Sequence, residues 1–245
     1  MHWESFYVHP NDVCGDEIRF REEETKHLGQ VMRKKTYQRI WAVDGQGKAY
    51  EVQLIQVGKK EATGKIIQTR RRFGEPMTEV TLAQSILKGD HFDDLVEKTT
   101  EIGVRRIIPM ITNNTIPSAS PQKLARWRRI AVAAMKQSGR SVLPEITDPA
   151  YFQQILETKA QYQHCWIAHS GNTSTAPRFA ENSVNDRIKS VLLLVGPEGG
   201  FSDAEIESAK QRNIRQITLG PRRLRAETAG IVLTARVLSE LGDLE

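Results

Sequence analysis

Hydrophobic and polar positions change rhythm about a third of the way along the chain. Before residue 73 they alternate in short runs, Phe6 to His9, Arg39 to Val43, Ala49 to Val57 and Thr63 to Thr69, with the turn Asp44-Gly45-Gln46-Gly47 between the second and the third. Alternation broken by glycine turns predicts a small β-barrel or sandwich. One helix interrupts it. Glu22 to Arg33 places Leu28, Val31 and Met32 on one face, and Lys34 and Lys35 follow as a basic edge. Arg70, Arg71 and Arg72 then lead into Phe73-Gly74-Glu75-Pro76, which reads as a linker and predicts domains at 1–72 and 73–245.

From Thr78 the pattern becomes strand and helix in turn: Val80 to Ala83, a helix near Phe92 to Ile102, Ile107 to Met110, a helix near Pro121 to Gln137, Cys165 to Ala168, and Val191 to Val195. This rhythm predicts an α/β domain, a parallel sheet with helices on both faces. Val191 to Val195 has no polar position, as expected of a strand covered on both sides. No internal repeat is evident.

Composition narrows the class. With 39% hydrophobic and 27% charged residues in 245 positions, and no long Pro, Gly or Ser tract, the chain reads as a folded soluble protein. Its apolar runs are too short to span a bilayer and its first residues lack a signal-peptide pattern, so a cytoplasmic location is expected, with no membrane contact. Two cysteines, Cys14 and Cys165, cannot make a disulfide framework, and His164, Cys165 and His169 supply too few ligands for a metal site. Residues 1–72 hold 14 Lys and Arg against 10 Asp and Glu, whereas the rest of the chain is nearly balanced. A basic N-terminal module suggests a polyanionic partner, although an excess of this size is also common on solvated surfaces.

The sharpest local feature is Gly196-Pro197-Glu198-Gly199-Gly200-Phe201-Ser202, directly after the apolar strand. Ser202 and Glu205 have capping-box spacing, so Asp203 should open a helix towards Gln211. Ligands of open α/β sheets bind beyond the carboxyl ends of strands, where this turn falls. The stretch is neither G-x-G-x-x-G nor a P-loop, which removes the common nucleotide-binding readings. A second loop follows the short strand Ile217-Thr218-Leu219, from Gly220 through Leu224-Arg225-Ala226-Glu227-Thr228-Ala229 to Gly230, and an apolar helix continues towards Leu241. Two such loops could enclose one ligand. Taken alone, Gly199 and Gly200 could also make a plain tight turn.

Together with Lys88, Glu97 to Val104, Gln137-Ser138-Gly139-Arg140, and His27 with Val31, Met32 and Arg33, these two loops resemble the RsmE family of the SPOUT class of methyltransferases in order and spacing. Two positions differ from its pattern, Lys136 where an acidic residue is expected and Arg223 where an aliphatic one is usual. The resemblance implies a PUA-like N-terminal barrel and a C-terminal domain threaded into a trefoil knot that binds S-adenosylmethionine and forms a homodimer, with Ala226 to Leu241 suited to that contact and equally to burial within a monomer. It also implies methylation of N3 of a uridine in the 16S RNA of the small ribosomal subunit.

On that basis Gly196, Glu198, Gly199, Gly200, Leu219, Gly220 and Leu224 are the expected cofactor contacts and Arg225 the expected catalytic residue. Arg33, Lys34, Lys35, Arg70, Arg71, Arg72, Gln137 and Arg140 are the expected RNA contacts, with Arg126-Trp127-Arg128-Arg129 as a further basic and aromatic stretch. Glu198 could equally satisfy backbone donors, His169 could border the pocket or sit in an exposed loop, and Glu97 and Glu101 fit salt bridging better than acid–base work. A noncatalytic RNA-binding or ribosome-assembly factor, or a methyltransferase of transfer RNA, are the alternatives.

Overall fold

The computed structural model describes residues 5–169 and 187–244. The chain divides into two compact units, residues 1–75 with 132–143, and residues 76–131 with 144–245.

The first unit carries β1 (Ser5–Tyr7), β2 (Val13–Cys14), β3 (Glu17–Phe20), α1 (Glu22–Lys26), β4 (Arg39–Val43), β5 (Lys48–Val57) and β6 (Ala62–Arg71). They form a six-stranded sheet in the order β1-β4-β5-β6-β3-β2, antiparallel except where β1 joins β4. Its core is the inward set of the alternating pattern, Phe6, Phe20, Ile40, Val52 and Leu54, closed by Leu28 from the helical segment, all buried. The expected turn is built by Asp44, whose Oδ1 accepts from the backbone N–H groups of Gln46 (2.8 Å) and Lys48 (3.0 Å). Its Oδ2 accepts from the Tyr50 hydroxyl, and burial beside that carboxylate pushes the phenol up to about 12. The single helix expected at 22–33 is instead α1 followed by a π-helical turn, His27–Val31, which Met32 closes before Arg33 turns left-handed with φ of 50°.

The second unit carries β7 (Glu79–Ser85), α2 (His91–Ile102), β8 (Arg106–Ile111), α3 (Pro121–Ser138, whose last turns belong to the first unit), β9 (Glu145–Ile146), β10 (Ala150–Tyr151), α4 (Phe152–Glu157), β11 (His164–Ala168), β12 (Ser190–Val195), α5 (Asp203–Gln211), β13 (Arg215–Ile217) and α6 (Ala226–Glu240). Every pairing in its sheet is parallel, in the order β10-β8-β7-β12-β11-β13, with β9 also on β8. Both faces are covered. Leu192 and Leu194 of β12 pack with Phe152 and Ile155 of α4 and Ile206 of α5, while α6 lies against α2, β7 and β12. That burial on two sides explains the unbroken apolar run of β12.

From β7 the chain runs outward one way through β8 to β10, and β11 to β13 lie on the other side. The order therefore reverses between β7 and β12, and the carboxyl ends of both strands face the crevice such a reversal creates.

Candidate cofactor site at the ends of the parallel strands

The glycine loop begins where β12 ends. Gly200 has φ of 72° and donates its N–H to Pro197 O at 2.8 Å, closing a tight turn that a side chain would strain. Ser202 then caps α5 as its spacing predicts: its Oγ accepts from Glu205 N at 3.3 Å, and Glu205 Oε2 accepts from Ser202 N at 2.8 Å. The other oxygen of the buried Glu205 carboxylate accepts from Asn113 N at 2.9 Å. Asn114 Nδ2 donates to the carbonyl oxygens of Gly200 (3.1 Å) and Gly199 (3.4 Å). The loop after β8 thus braces the glycine loop, a role that the bare Asn113-Asn114 pair did not signal.

Below the loop lies Gln84, fully buried on β7. Its Nε2 donates to Gly196 O at 3.3 Å, and its Oε1 has no hydrogen-bond partner among the described residues. That oxygen is against Gly230 of α6, where a Cβ would stand 2.5 Å from it, so glycine is what lets the helix sit so close to the strand.

The second loop leaves β13 and runs alongside the first. Arg223 Nη2 donates to Glu198 O at 3.1 Å, and Glu198 Oε1 accepts from Lys88 N at 3.2 Å. Three strand ends, those of β7, β12 and β13, are therefore tied together at one residue. The one backbone donor on the Glu198 carboxylate is thus Lys88 N, in the loop after β7, and not a donor at the start of the following helix. Arg236 of α6 donates to Thr218 O at 3.2 Å and holds the end of β13 to the helix. Leu219 and Leu224 are half-buried, and a Cβ on Gly200 would meet nothing within 4 Å. The open space over the backbone of Gly200, in a loop without the lysine of a P-loop, suits a neutral group better than a phosphate.

Arg225 is the N-cap of α6, extended at φ −65° and ψ 154°, and its side chain caps nothing. It is exposed, and among the described residues it has no ion-pair partner. Beside it Glu227 reaches His91 Nδ1 at 3.5 Å. His169 donates its backbone N–H to Ile217 O at 3.0 Å, at the ends of β11 and β13, while Ser170 and Gly171 lie outside the described residues.

Elsewhere the structure separates contacts that the sequence grouped. Lys98 bridges Glu97 (2.6 Å) and Glu101 (3.0 Å), which makes that pair structural. Trp127 is buried with its Nε1 on Asp93, Arg126 pairs with the same carboxylate, and Arg128 donates to Ile146 O. Only Arg129 of that run remains an exposed cation with no partner among the described residues. The expectation for Arg140 is corrected. Its side chain is 2% exposed, and its Nη2 and Nε both donate to Glu75 Oε2, which leaves no face for a phosphate. Gln137 and Arg71 are exposed, and Arg70 lies over Trp41 and Phe73 at 5.1 and 5.4 Å. Among the described residues no cluster of three or more His, Cys, Asp or Glu could hold a metal ion, and no helix is long and apolar enough to cross a membrane.

Comparison with known proteins agrees with this geometry. Residues 74–238 match the RNA methyltransferase domain family, and residues 20–67 match the RNA methyltransferase PUA domain family. Ribosomal RNA small subunit methyltransferase E of Mesomycoplasma hyopneumoniae is 32% identical over 80% of this chain and 83% of its own length, and the enzyme of that name from Synechocystis is 28% identical over 94% and 75%. The crystal structure of ribosomal RNA small subunit methyltransferase E from Neisseria gonorrhoeae bound to S-adenosyl methionine superposes with a TM-score of 0.84 at 29% identity, covering 97% of this chain and 98% of that one. The chain is a member of the RNA methyltransferase family, the family of ribosomal RNA small subunit methyltransferase E.

Proposed function

We propose that this protein transfers a methyl group from S-adenosylmethionine to N3 of a uridine in the 16S RNA of the small ribosomal subunit. One observation carries the reading: two glycine-bearing loops at the carboxyl ends of parallel strands, joined through Glu198 and Arg223, with a guanidinium at the start of α6, Arg225, that has no ion-pair partner among the described residues. The backbone of Gly196, Gly199, Gly200 and Gly220 would hold the cofactor, with Leu219 and Leu224 against its apolar parts and Glu198 fixing the loop. S-adenosylmethionine, when bound, supplies an electrophilic methyl group.

The task of the chain's own residues is to make the uridine a nucleophile. N3 of uracil carries a proton, and its lone pair is a poor nucleophile until that proton leaves. Arg225 can hydrogen-bond a uracil carbonyl oxygen and stabilise the negative charge spread over the imide, an effect that grows as water is excluded. No acid–base residue need be posited if water accepts a proton that Arg225 has already made more acidic. Arg225→Ala should then lower kcat by about 100-fold or more and leave cofactor affinity within about twofold. The remaining activity should climb more steeply with pH than that of the parent. Parental kcat with a parental pH profile would remove Arg225 from uridine activation.

On the RNA side the reading assigns residues 1–72 to RNA binding, through Arg33, Lys34, Lys35, Arg70, Arg71 and Arg72 together with Gln137, and residues 73–245 to catalysis. It places the protein in the cytoplasm as a homodimer, its catalytic domain knotted and paired along α6, where Val232 is exposed while Leu233 and Val237 are buried. The intact glycine loops favour an enzyme over a noncatalytic assembly factor. A transfer-RNA substrate is separated from ribosomal RNA only by assay.

A further inference from the structure

The first unit contains a cavity of about 460 Å³ lined by none of the residues assigned to the cofactor or to methyl transfer. Lys26, Lys34, Lys35 and Lys59 line it, with Gly29 and Gly58, and none of its lining residues is acidic. Lys26 is paired with Glu22 at 2.7 Å, but among the described residues Lys34, Lys35 and Lys59 have no ion-pair partner. Three unneutralised ammonium groups around one groove repel one another unless an anion joins them.

The loop that presents two of these lysines is held rigidly. Lys34 N donates to Leu28 O at 2.9 Å, Lys35 N to Gln38 Oε1 at 2.8 Å, and Tyr37 N to Leu54 O at 2.7 Å. Arg33 and Tyr37 both adopt left-handed backbone angles, φ 50° and 70°, which non-glycine residues take only at a cost. Tyr37 gains no packing in return, since it is 78% exposed. Tyr37 directly follows Lys35 and Thr36, which line the groove. A strained, fixed backbone that holds an aromatic ring in solvent one residue beyond a basic groove is the arrangement that grips single-stranded nucleic acid, phosphates on the cations and a base on the ring.

We propose that this groove binds a single-stranded segment of the substrate RNA, with backbone phosphates on Lys34, Lys35 and Lys59 and one base stacked on Tyr37. The proposal rests on the reading of the protein as an RNA methyltransferase and adds the form of RNA that its N-terminal unit selects. Duplex RNA hides its base faces, so it can use the lysines but not Tyr37.

The test is fluorescence anisotropy of the full-length protein with a labelled single-stranded RNA oligonucleotide and with its duplex, over a salt series. Each phosphate contact contributes about 0.7 to the slope of log K against log salt for single strands. Lys34→Ala combined with Lys59→Ala should weaken single-strand binding about tenfold and make that slope shallower by about 1.4. Tyr37→Ala should weaken single-strand binding by about 5- to 100-fold with the slope unchanged. It should leave duplex binding alone, and Tyr37→Phe should restore the loss.

Groove variants that bind single strands with parental affinity and slope, in a protein that still methylates small-subunit RNA, would overturn the groove and leave the enzymatic reading standing. A parent that binds no RNA in this assay and methylates none would overturn both. If a polyglutamate peptide displaces the RNA at equal charge concentration through the same lysines, the groove is a site for acidic protein and the RNA proposal falls.

Discussion

The guanidinium of Arg223 donates to the backbone carbonyl of Glu198 at 3.1 Å, so one side chain joins the loop after β13 to the loop after β12. An aliphatic residue at 223, the usual one in the family pattern that this sequence resembles, could not make that bond. The contact makes the mouth of the cofactor site depend on a side chain that never needs to touch the cofactor.

Arg223→Ala should therefore raise the dissociation constant for S-adenosylmethionine by about three- to tenfold, the worth of one exposed charge-assisted hydrogen bond. Titration calorimetry reads it directly. Thermal stability should hardly change, because both loops keep their own braces, Asn114 for the first and Arg236 for the second. Parental affinity in the variant would show that the loops keep their places without the clasp.

Much of the fold and of this site was legible in the sequence where the determinants are local. The capping box of Ser202 and Glu205, the turn at Asp44 and the buried strand β12 each follow from neighbours along the chain. Contacts between distant residues were not legible. Gln84 reads as an ordinary strand residue, and only the fold shows its amide on Gly196 and its oxygen against Gly230. Arg140 sits in a motif that reads as functional, yet its partner, Glu75, lies 65 positions earlier. The apolar pattern of α3 is continuous, so nothing in it signals that residues 132–143 pack with the first unit, where Met135 joins Val43 and Ala49. The strand expected at 217–219 is observed at Arg215–Ile217, a shift towards the polar residues that pair with β11.

Arg140 and Glu75 make the second prediction. Glu75 Oε1 also accepts from the N–H groups of Ser141 (2.9 Å) and Val142 (2.8 Å), so the carboxylate is saturated while the arginine is present. Arg140→Ala leaves that buried charge short of its counter-ion and should cost about 3–5 kcal/mol in chemical denaturation. Glu75→Gln with Arg140→Met, which removes both charges, should recover most of it. A single variant as stable as the parent would mean that the pair is solvated.

Asp243 gives a pH dependence. Burial alone would raise its carboxyl, but hydrogen bonds from Thr78 and Met77 and the charge of Arg187 outweigh burial and hold it below the usual carboxylate range. A group whose pKa is lowered by folding stabilises the protein above its unfolded pKa, and that contribution is lost as pH falls through the folded one. Asp243→Asn should thus lower stability by about 1–3 kcal/mol at pH 7, and the gap to the parent should close as pH drops below about 4. A gap that stays constant from pH 7 to pH 3 would show that ionisation of Asp243 does not matter.

Mass spectrometry of RNA tests the central claim most directly. Purified protein is incubated with S-adenosylmethionine carrying an isotopically labelled methyl group, together with small ribosomal subunits and transfer RNA from a strain that lacks the gene. Each RNA is then digested to nucleosides. Labelled 3-methyluridine is expected in 16S RNA, at about one per molecule, and its loss with Arg225→Ala. Label in transfer RNA, on another nucleoside, or nowhere at all would contradict the claim.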